Sequence, residues 1–476
     1  MLERRRNIAQ EPEAPTKLVR SLGLFGVLFL TLSVATPVSS LFVIVPGMFQ
    51  TAGTGAVWAM LLATLVCVAT AYVYAELASN WPVAGGEYVM VARTMGPLAG
   101  FVMLGVNVFN NLLFPPVAGL GLSAILAVVW PGLPQIPLAL AVVIGATLVS
   151  LLQIRVNAWL TGAFLAVELI AAVLVIWFGF GNAVRGVGAF LSAPVMLDQA
   201  ATQLVPATAA SIGVAASIAI FALNGYGAAV YFGEEMEGAP HRIARAIFWA
   251  MIATVLVEGL PILAVLVGAP DLIALFNHED PFGLVVRLYG GGMAADVLAI
   301  GVAVAIANAV IACILACARF FYGTARDRCW GRPVDQLLTA IHPRLGSPWM
   351  STLVVGTAGA VCCFVPLEQL LVLSGTGLIA IYGGIAMAVI AGRMGGQTAD
   401  APFRMPLYPL APLITLGALG YIVWLNWLDP GEGRTGLLMT GAQILLSAAY
   451  YRLVLKPRGN WEVYVPVAPV ASPGAR

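Results

Sequence analysis

Charge is what this sequence lacks. Only 9% of its 476 residues are Asp, Glu, Lys or Arg, while 61% are hydrophobic. Soluble domains carry about 25% charged residues, so a soluble chain of this length would be missing the charged shell its surface needs. The composition therefore implies an integral membrane protein, embedded in a lipid bilayer. Net charge is +1, too small a basic field to recruit nucleic acid. Histidine is scarce too: His241, His278 and His342 are scattered over separate loops. No HExxH, GxSxG, Walker loop or paired aspartates occur. A membrane-embedded enzyme is thereby disfavoured, and no metal or cofactor is implied.

Cysteine is sparse as well. Cys67, Cys313, Cys317, Cys329, Cys362 and Cys363 lie mostly within apolar runs, and none forms a CxxC pair. Cys313 and Cys317 share a helix face, which would suit a metal or redox pair. Small apolar packing residues are the plainer reading, and no disulfide framework follows. No cleavable leader is expected either. The opening "MLERRRNIAQEPEAPTKLVR" has no small-residue cleavage site after a short apolar core, so 1–20 reads as a cytoplasmic tail. The Pro/Ala-rich end of 458–476 reads as a second, disordered tail.

What the sequence has in abundance is long apolar runs. A membrane span needs about 20 such residues. Twelve candidates are present: 22–50, 54–78, 97–128, 134–152, 158–181, 209–236, 243–268, 292–324, 349–366, 368–392, 408–427 and 434–455. With both termini cytoplasmic, only Arg185, Arg287 and Arg434 of the 23 Lys and Arg fall on the far side. That asymmetry obeys the positive-inside rule, and one missed span would scramble it. Trp81, Trp130, Trp159, Trp330, Trp349 and Trp427 fall near span ends, as an interfacial aromatic belt would place them.

Two spans are interrupted. "TLSVATPVSSLFVIVPGMFQ", residues 31–50, carries Pro37 and the hydroxyls of Thr36, Ser39 and Ser40 at mid-depth. Proline removes a backbone donor and clashes with the preceding turn, which lipid tolerates only where the freed groups are buried or line a polar cavity. A simple proline kink is the bland alternative. The sixth span, "SIAIFALNGYGAAVYFGEEM", has Asn224-Gly225-Tyr226-Gly227 near its middle, and glycine weakens a helix. Interruptions at corresponding places in two five-span units point to a transporter site at a repeat interface.

Three stretches carry a family likeness: "AELASNWPVAGGEYVMVARTMGPLAGF" (75–101), "FALNGYGAAVYFGEEMEGAPHRIARAI" (221–247) and "ARFFYGTARDRCWGR" (318–332). The chain resembles the amino acid–polyamine–organocation (APC) family of secondary transporters over residues 20–455. The resemblance implies an all-α fold of 12 transmembrane helices, a LeuT-like 5+5 inverted repeat plus two extra helices. It would comprise a first repeat at 21–182, a second at 183–393, and the last two spans at 394–457. It implies that spans 1, 3, 6, 8 and 10 surround one small-molecule substrate, moved by alternating access as proton symport or exchange in the plasma membrane. One departure stands out. Many amino acid members of the family break span 1 with glycine-serine-glycine, whereas "ATPVSS" looks more like the threonine-proline break of some putrescine and amine permeases. Amino acid transport is the leading expectation, and a polyamine or other amine the alternative.

The expected binding cavity uses Thr36, Ser39 and Ser40 at one pole, aided by the positive end of the half-helix near Ser39. Ala222, Asn224, Gly225 and Tyr226 form the other pole. Tyr226 would cap a cationic amine, or else merely pack between helices. Asn107, Asn110 and Asn111 in span 3 and Asn308 in span 8 would line the cavity, or form interhelical hydrogen bonds of about 0.6 kcal/mol each. Glu168, central in span 5, is the expected proton-coupling residue. An ionised carboxylate there costs at least about 2.5 kcal/mol, which suits it to taking up and releasing a proton. A titratable lysine occupies what looks like the same place in proton-coupled family members. Glu258 in span 7 is the second candidate. Glu234 and Glu235 read as a solvated helix end, with an inner gate or ion pairs with nearby arginines as the family-based alternative. Glu76 and Glu87 read as fold residues beside a tight turn at Gly85 and Gly86. Sodium coupling has less support, because "AVAIANAVIACILACARF" in span 8 offers no serine or threonine. A sensor or scaffold would usually append a soluble domain, and a channel fits paired helix breaks poorly.

Overall fold

A computed structural model describes residues 18–129, 132, 134–430, 432–459 and 461–463, with the side chains of 124–129, 368, 371–373 and 432 excepted. Of the tails predicted at 1–20 and 458–476, residues 1–17, 460 and 464–476, with Arg4, Arg5, Arg6, Lys17 and Arg476, lie outside the described residues, as does Trp130.

Long apolar runs and the scarcity of charge give helix almost throughout, because in lipid the backbone must satisfy its own hydrogen bonds. The helices are α1 (Leu24–Ala35), α2 (Pro37–Val43), α3 (Val45–Ala52), α4 (Ala56–Asn80), α5 (Glu87–Met95), α6 (Pro97–Val129), α7 (Gln135–Ser150), α8 (Ile154–Gly181) and α9 (Gly188–Ser192). After a two-stranded hairpin come α10 (Ala209–Ala222), α11 (Ala239–Gly268), α12 (Leu272–Asn277), α13 (Pro281–Arg326) and α14 (Arg332–Leu338). The chain closes with α15 (Trp349–Cys362), α16 (Leu367–Met394), α17 (Leu410–Leu428) and α18 (Glu432–Tyr450). Each of the twelve apolar segments falls on one or more of these helices. Among the described residues, nine helical stretches are long and apolar enough to cross a membrane, the first being Leu24–Asn80 as a whole. Two further apolar helices, α7 and α15, are shorter.

The all-helical expectation needs one small correction. β1 (Val195–Leu197) pairs antiparallel with β2 (Leu204–Pro206), Met196 opposite Val205. The hairpin docks on Thr54, whose hydroxyl accepts from Val195 N at 2.8 Å. In α13 the helical dihedrals fail at Gly291 (φ 76°), so the long helix turns a corner just before the predicted start of the eighth span.

α13 packs against α8, α6 and α7, while α11 packs against α4 and α8. α1 to α3 and α10 run through the middle of this arrangement and contact several of these helices. Large apolar side chains also face outward, with Trp177 72% and Leu446 70% exposed. A soluble protein would aggregate through such a surface; in hydrocarbon it is the expected exterior.

Candidate functional site

α1 ends at Ala35 and α2 begins at Pro37, leaving Thr36 between them at φ 49°, ψ 53°. A β-branched residue in the left-handed region is strained. Pro37 is not: at the first helical position its missing N–H costs nothing and its fixed φ suits the helix. The proline therefore starts a second half-helix instead of kinking a continuous one. In the sixth span α10 ends at Ala222, and the chain resumes as a 3-10 turn over Tyr226–Phe232. Gly225 between them has φ 113°, and a Cβ built on it would lie 2.4 Å from Cα of Ala35. The two interruptions touch, and only glycine permits the approach.

A cavity of about 160 Å³ opens at this crossing. Its walls include Thr36, Ser39, Ser40, Asn111, Ala222, Asn224 and Gly225, and also Asn110. Seven of the ten expected substrate-binding residues are thus brought together. The ends of α1 and α10 reach it through Val34, Ala35 and Phe221, and the last carbonyls of a helix lack intrahelical partners. Span 8 contributes Cys313 and Cys317, and span 10 contributes Ser374 and Leu378.

Three expected wall residues stand behind the wall. Tyr226 is fully buried, its ring packed edge-on to Tyr74 with centroids 6.3 Å apart. Its helical turn points it toward α4, and Tyr74, Phe114, Phe221 and Tyr231 supply the aromatic surface of the cavity instead. Asn107 donates to Glu87 Oε2 at 3.2 Å. Asn308 donates to Glu168 Oε1 at 2.8 Å and to Ser33 Oγ at 2.9 Å. Both amides are interhelical ties, the alternative reading of each.

Glu168 is fully buried beside the cavity, and its Oε2 has no hydrogen-bond partner among the described residues. Through Asn308 it links α8 to α13 and, through Ser33, to α1 just before the break. Glu258 is equally buried in α11, with both oxygens unpartnered among the described residues. It does not line the cavity.

Sequence reasoning missed several residues. Tyr382 of α16 donates to Asn224 Oδ1, which also accepts from Gly225 N at 2.6 Å. Pro115 and Pro116 lie inside α6. Pro115 cannot donate to the Asn111 carbonyl, and the Cys317 thiol donates to it instead at 2.8 Å. The six cysteines are free, but Cys317 does more than fill space. The adjacent prolines were the signal for that opened carbonyl. Glu87 needs correction: it is no mere fold residue but part of the cavity wall. Glu76 does hold the fold, bound by Arg393 at 2.6 Å and by Met405 N at 2.8 Å.

Below the cavity, on the face rich in arginine, the chain closes in layers. Glu235 and Arg319 are each about 1% exposed and form an ion pair, so the solvated helix-end reading of Glu235 fails. Glu234 pairs with Arg326 at 2.7 Å and accepts from Ala84 N at 2.9 Å. Tyr88 donates to Asp327 at 2.8 Å. The tight turn expected at Gly85 and Gly86 is present: Gly86 has φ 62°, and a Cβ on it would meet Tyr231 at 2.7 Å. On the opposite face, a second cavity of about 460 Å³ shares Phe221 and Leu378 with the central one.

Residues 22–449 match the sequence profile described as amino acid permease. The chain belongs to this family of APC permeases. An uncharacterized transporter of Mycobacterium tuberculosis is 29% identical over 349 residues, 73% of this chain and 74% of that one. A branched-chain amino acid permease of Bacillus subtilis is 24% identical over 405 residues, covering 82% and 85%. A low-affinity putrescine importer of Escherichia coli is 22% identical over 332 residues, covering 69% and 71%. As a member of this family the chain is a multi-pass membrane transporter.

Proposed function

We propose that this permease is a secondary active transporter of amino acids that couples uptake to protons by alternating access. One observation carries the reading: the broken helices meet at Gly225 and Ala35 beside a cavity with polar groups from both breaks. Discontinuous helices crossing at mid-membrane are how such transporters expose backbone groups to a substrate. In this reading the twelve spans form two inverted five-helix units, 21–182 and 183–393, followed by two more helices at 394–457. Both termini are cytoplasmic, in the plasma membrane. Thr36, Ser39 and Ser40 meet one end of the substrate, and Asn224 with the open ends of α1 and α10 the other. Glu168 takes the proton. Its tie through Asn308 and Ser33 supports coupling, because a change at the carboxyl is felt by α1. Glu258 is the second candidate.

An amine or polyamine is the alternative substrate. The Thr36-Pro37 break and the putrescine importer among the relatives favour it.

The test is uptake of labelled amino acids, neutral and basic, and of labelled putrescine by proteoliposomes, with and without an inward proton gradient. Gradient-driven uptake of an amino acid is the expected result. Uptake only into preloaded vesicles would make the protein an exchanger and remove the proton role. Glu168→Gln should abolish the response to the gradient while leaving counterflow exchange; wild-type pH dependence in that variant would refute the assignment.

A further inference from the structure

Glu87 is the one Asp, Glu, Lys, Arg or His among the described residues lining the central cavity. Its carboxylate accepts from Tyr74 Oη at 2.9 Å on Oε1, and from Tyr231 Oη at 2.7 Å and Asn107 Nδ2 at 3.2 Å on Oε2. Asn111 Nδ2 stands 3.5 Å from the Tyr231 oxygen, so the Tyr231 proton is directed at Glu87. Three neutral donors thus surround an acceptor that has about four lone-pair sites. Oε1 carries the single bond, and it is the oxygen with room for another donor.

Four other acids on this side of the molecule differ in one respect. Glu76 has Arg393, Glu235 has Arg319, Glu234 has Arg326, and Asp327 has Arg326 at 3.6 Å. Glu87 has no cation within 4.0 Å among the described residues, though it is only 3% exposed. A buried carboxylate is retained when it is paired or hydrogen-bonded, and here the pairing position faces the cavity. Glu168 and Glu258 also lack cations, but neither lines the cavity.

We propose that Glu87 is a subsite for a cationic group of the substrate, so that this permease selects ligands carrying an ammonium beyond the part held at the broken helices: diamines and basic amino acids. The inference rests on the transporter reading and narrows its substrate class. The ligand's cation supplies the missing partner of Glu87, while Tyr74, Tyr231 and Asn107 keep the carboxylate aimed.

The experiment measures competitive binding to the full-length protein in nanodiscs, using putrescine, n-butylamine and leucine as probes. Putrescine should bind at least tenfold more tightly than n-butylamine, which has the same carbon chain without the second ammonium. Equal affinities would overturn the proposal without any mutation. In Glu87→Gln, which keeps the shape but not the charge, the ratio of putrescine to leucine affinity should fall at least tenfold. An unchanged ratio would mean that Glu87 only ties α4, α6 and the 3-10 turn together, since a structural role moves stability and not selectivity. If the unmodified protein binds none of the three, this proposal falls together with the amino acid and amine substrate reading on which it rests. Binding of leucine alone would leave that reading standing and refute this one.

Discussion

At the scale of single residues, the informative feature is how buried charge is partnered. Arg319 and Glu235 bury a full ion pair, and removing one partner of such a pair strands the other. Arg319→Met should therefore destabilise by about 3–5 kcal/mol, with Arg319→Met/Glu235→Met recovering most of it; unfolding in detergent followed by tryptophan fluorescence checks both. Glu258 presents the opposite case, since neither oxygen meets a donor among the described residues. Replacing it by methionine removes an unpaired polar group and should raise stability by about 1–3 kcal/mol. A lower midpoint would mean that the carboxyl is satisfied by water and belongs to a polar pathway. The sequence offered arginine partners for Glu235 only as an alternative and named no particular one: an acid in an apolar run is visible in sequence, but its neighbours on other helices are not.

At the scale of elements, the two broken helices decide the site, and both were readable. Pro37 and the Asn224-Gly225 pair are local facts of chain chemistry: one lacks a donor, the other includes a residue free to take positive φ. That the breaks touch was not readable. Gly225→Ala places a Cβ against Ala35 and forces an L side chain to φ 113°. It should abolish uptake while the protein still inserts and purifies as a monodisperse species. Wild-type uptake by this variant would mean that the close contact of α1 and α10 is dispensable. The same limit explains Tyr226. Its place within the interruption was plain from sequence, yet a 3-10 turn advances 120° per residue where an α-helix advances 100°. That difference contributes to turning Tyr226 toward α4 and Tyr231 toward the cavity.

At the scale of the whole molecule, the asymmetry between the two faces matters most. Toward the arginine-rich face, several polar ties separate the cavity from the surface; toward the other, Phe221 and Leu378 stand between the cavity and a second, larger space. The structure is thus one with its arginine-rich side shut. Loosening that side with Glu234→Gln and Asp327→Asn together should speed reaction of Cys317 with a membrane-impermeant thiol reagent applied there several-fold, as read by peptide mass spectrometry. An unchanged rate would place the closure elsewhere. Sequence by itself determined that this chain lies in a membrane, where its helices run, which two of them break, and which family it belongs to. Those properties follow from composition, apolar run length and backbone chemistry, all local along the chain. Tertiary structure alone decided that Glu87 faces the cavity, that Asn107 and Asn308 serve as ties, and that Glu235 is sealed by Arg319. Each depends on which side of a helix meets which neighbour, and in an apolar environment nearly every helix face is hydrophobic, so no amphipathic pattern marks the inward one.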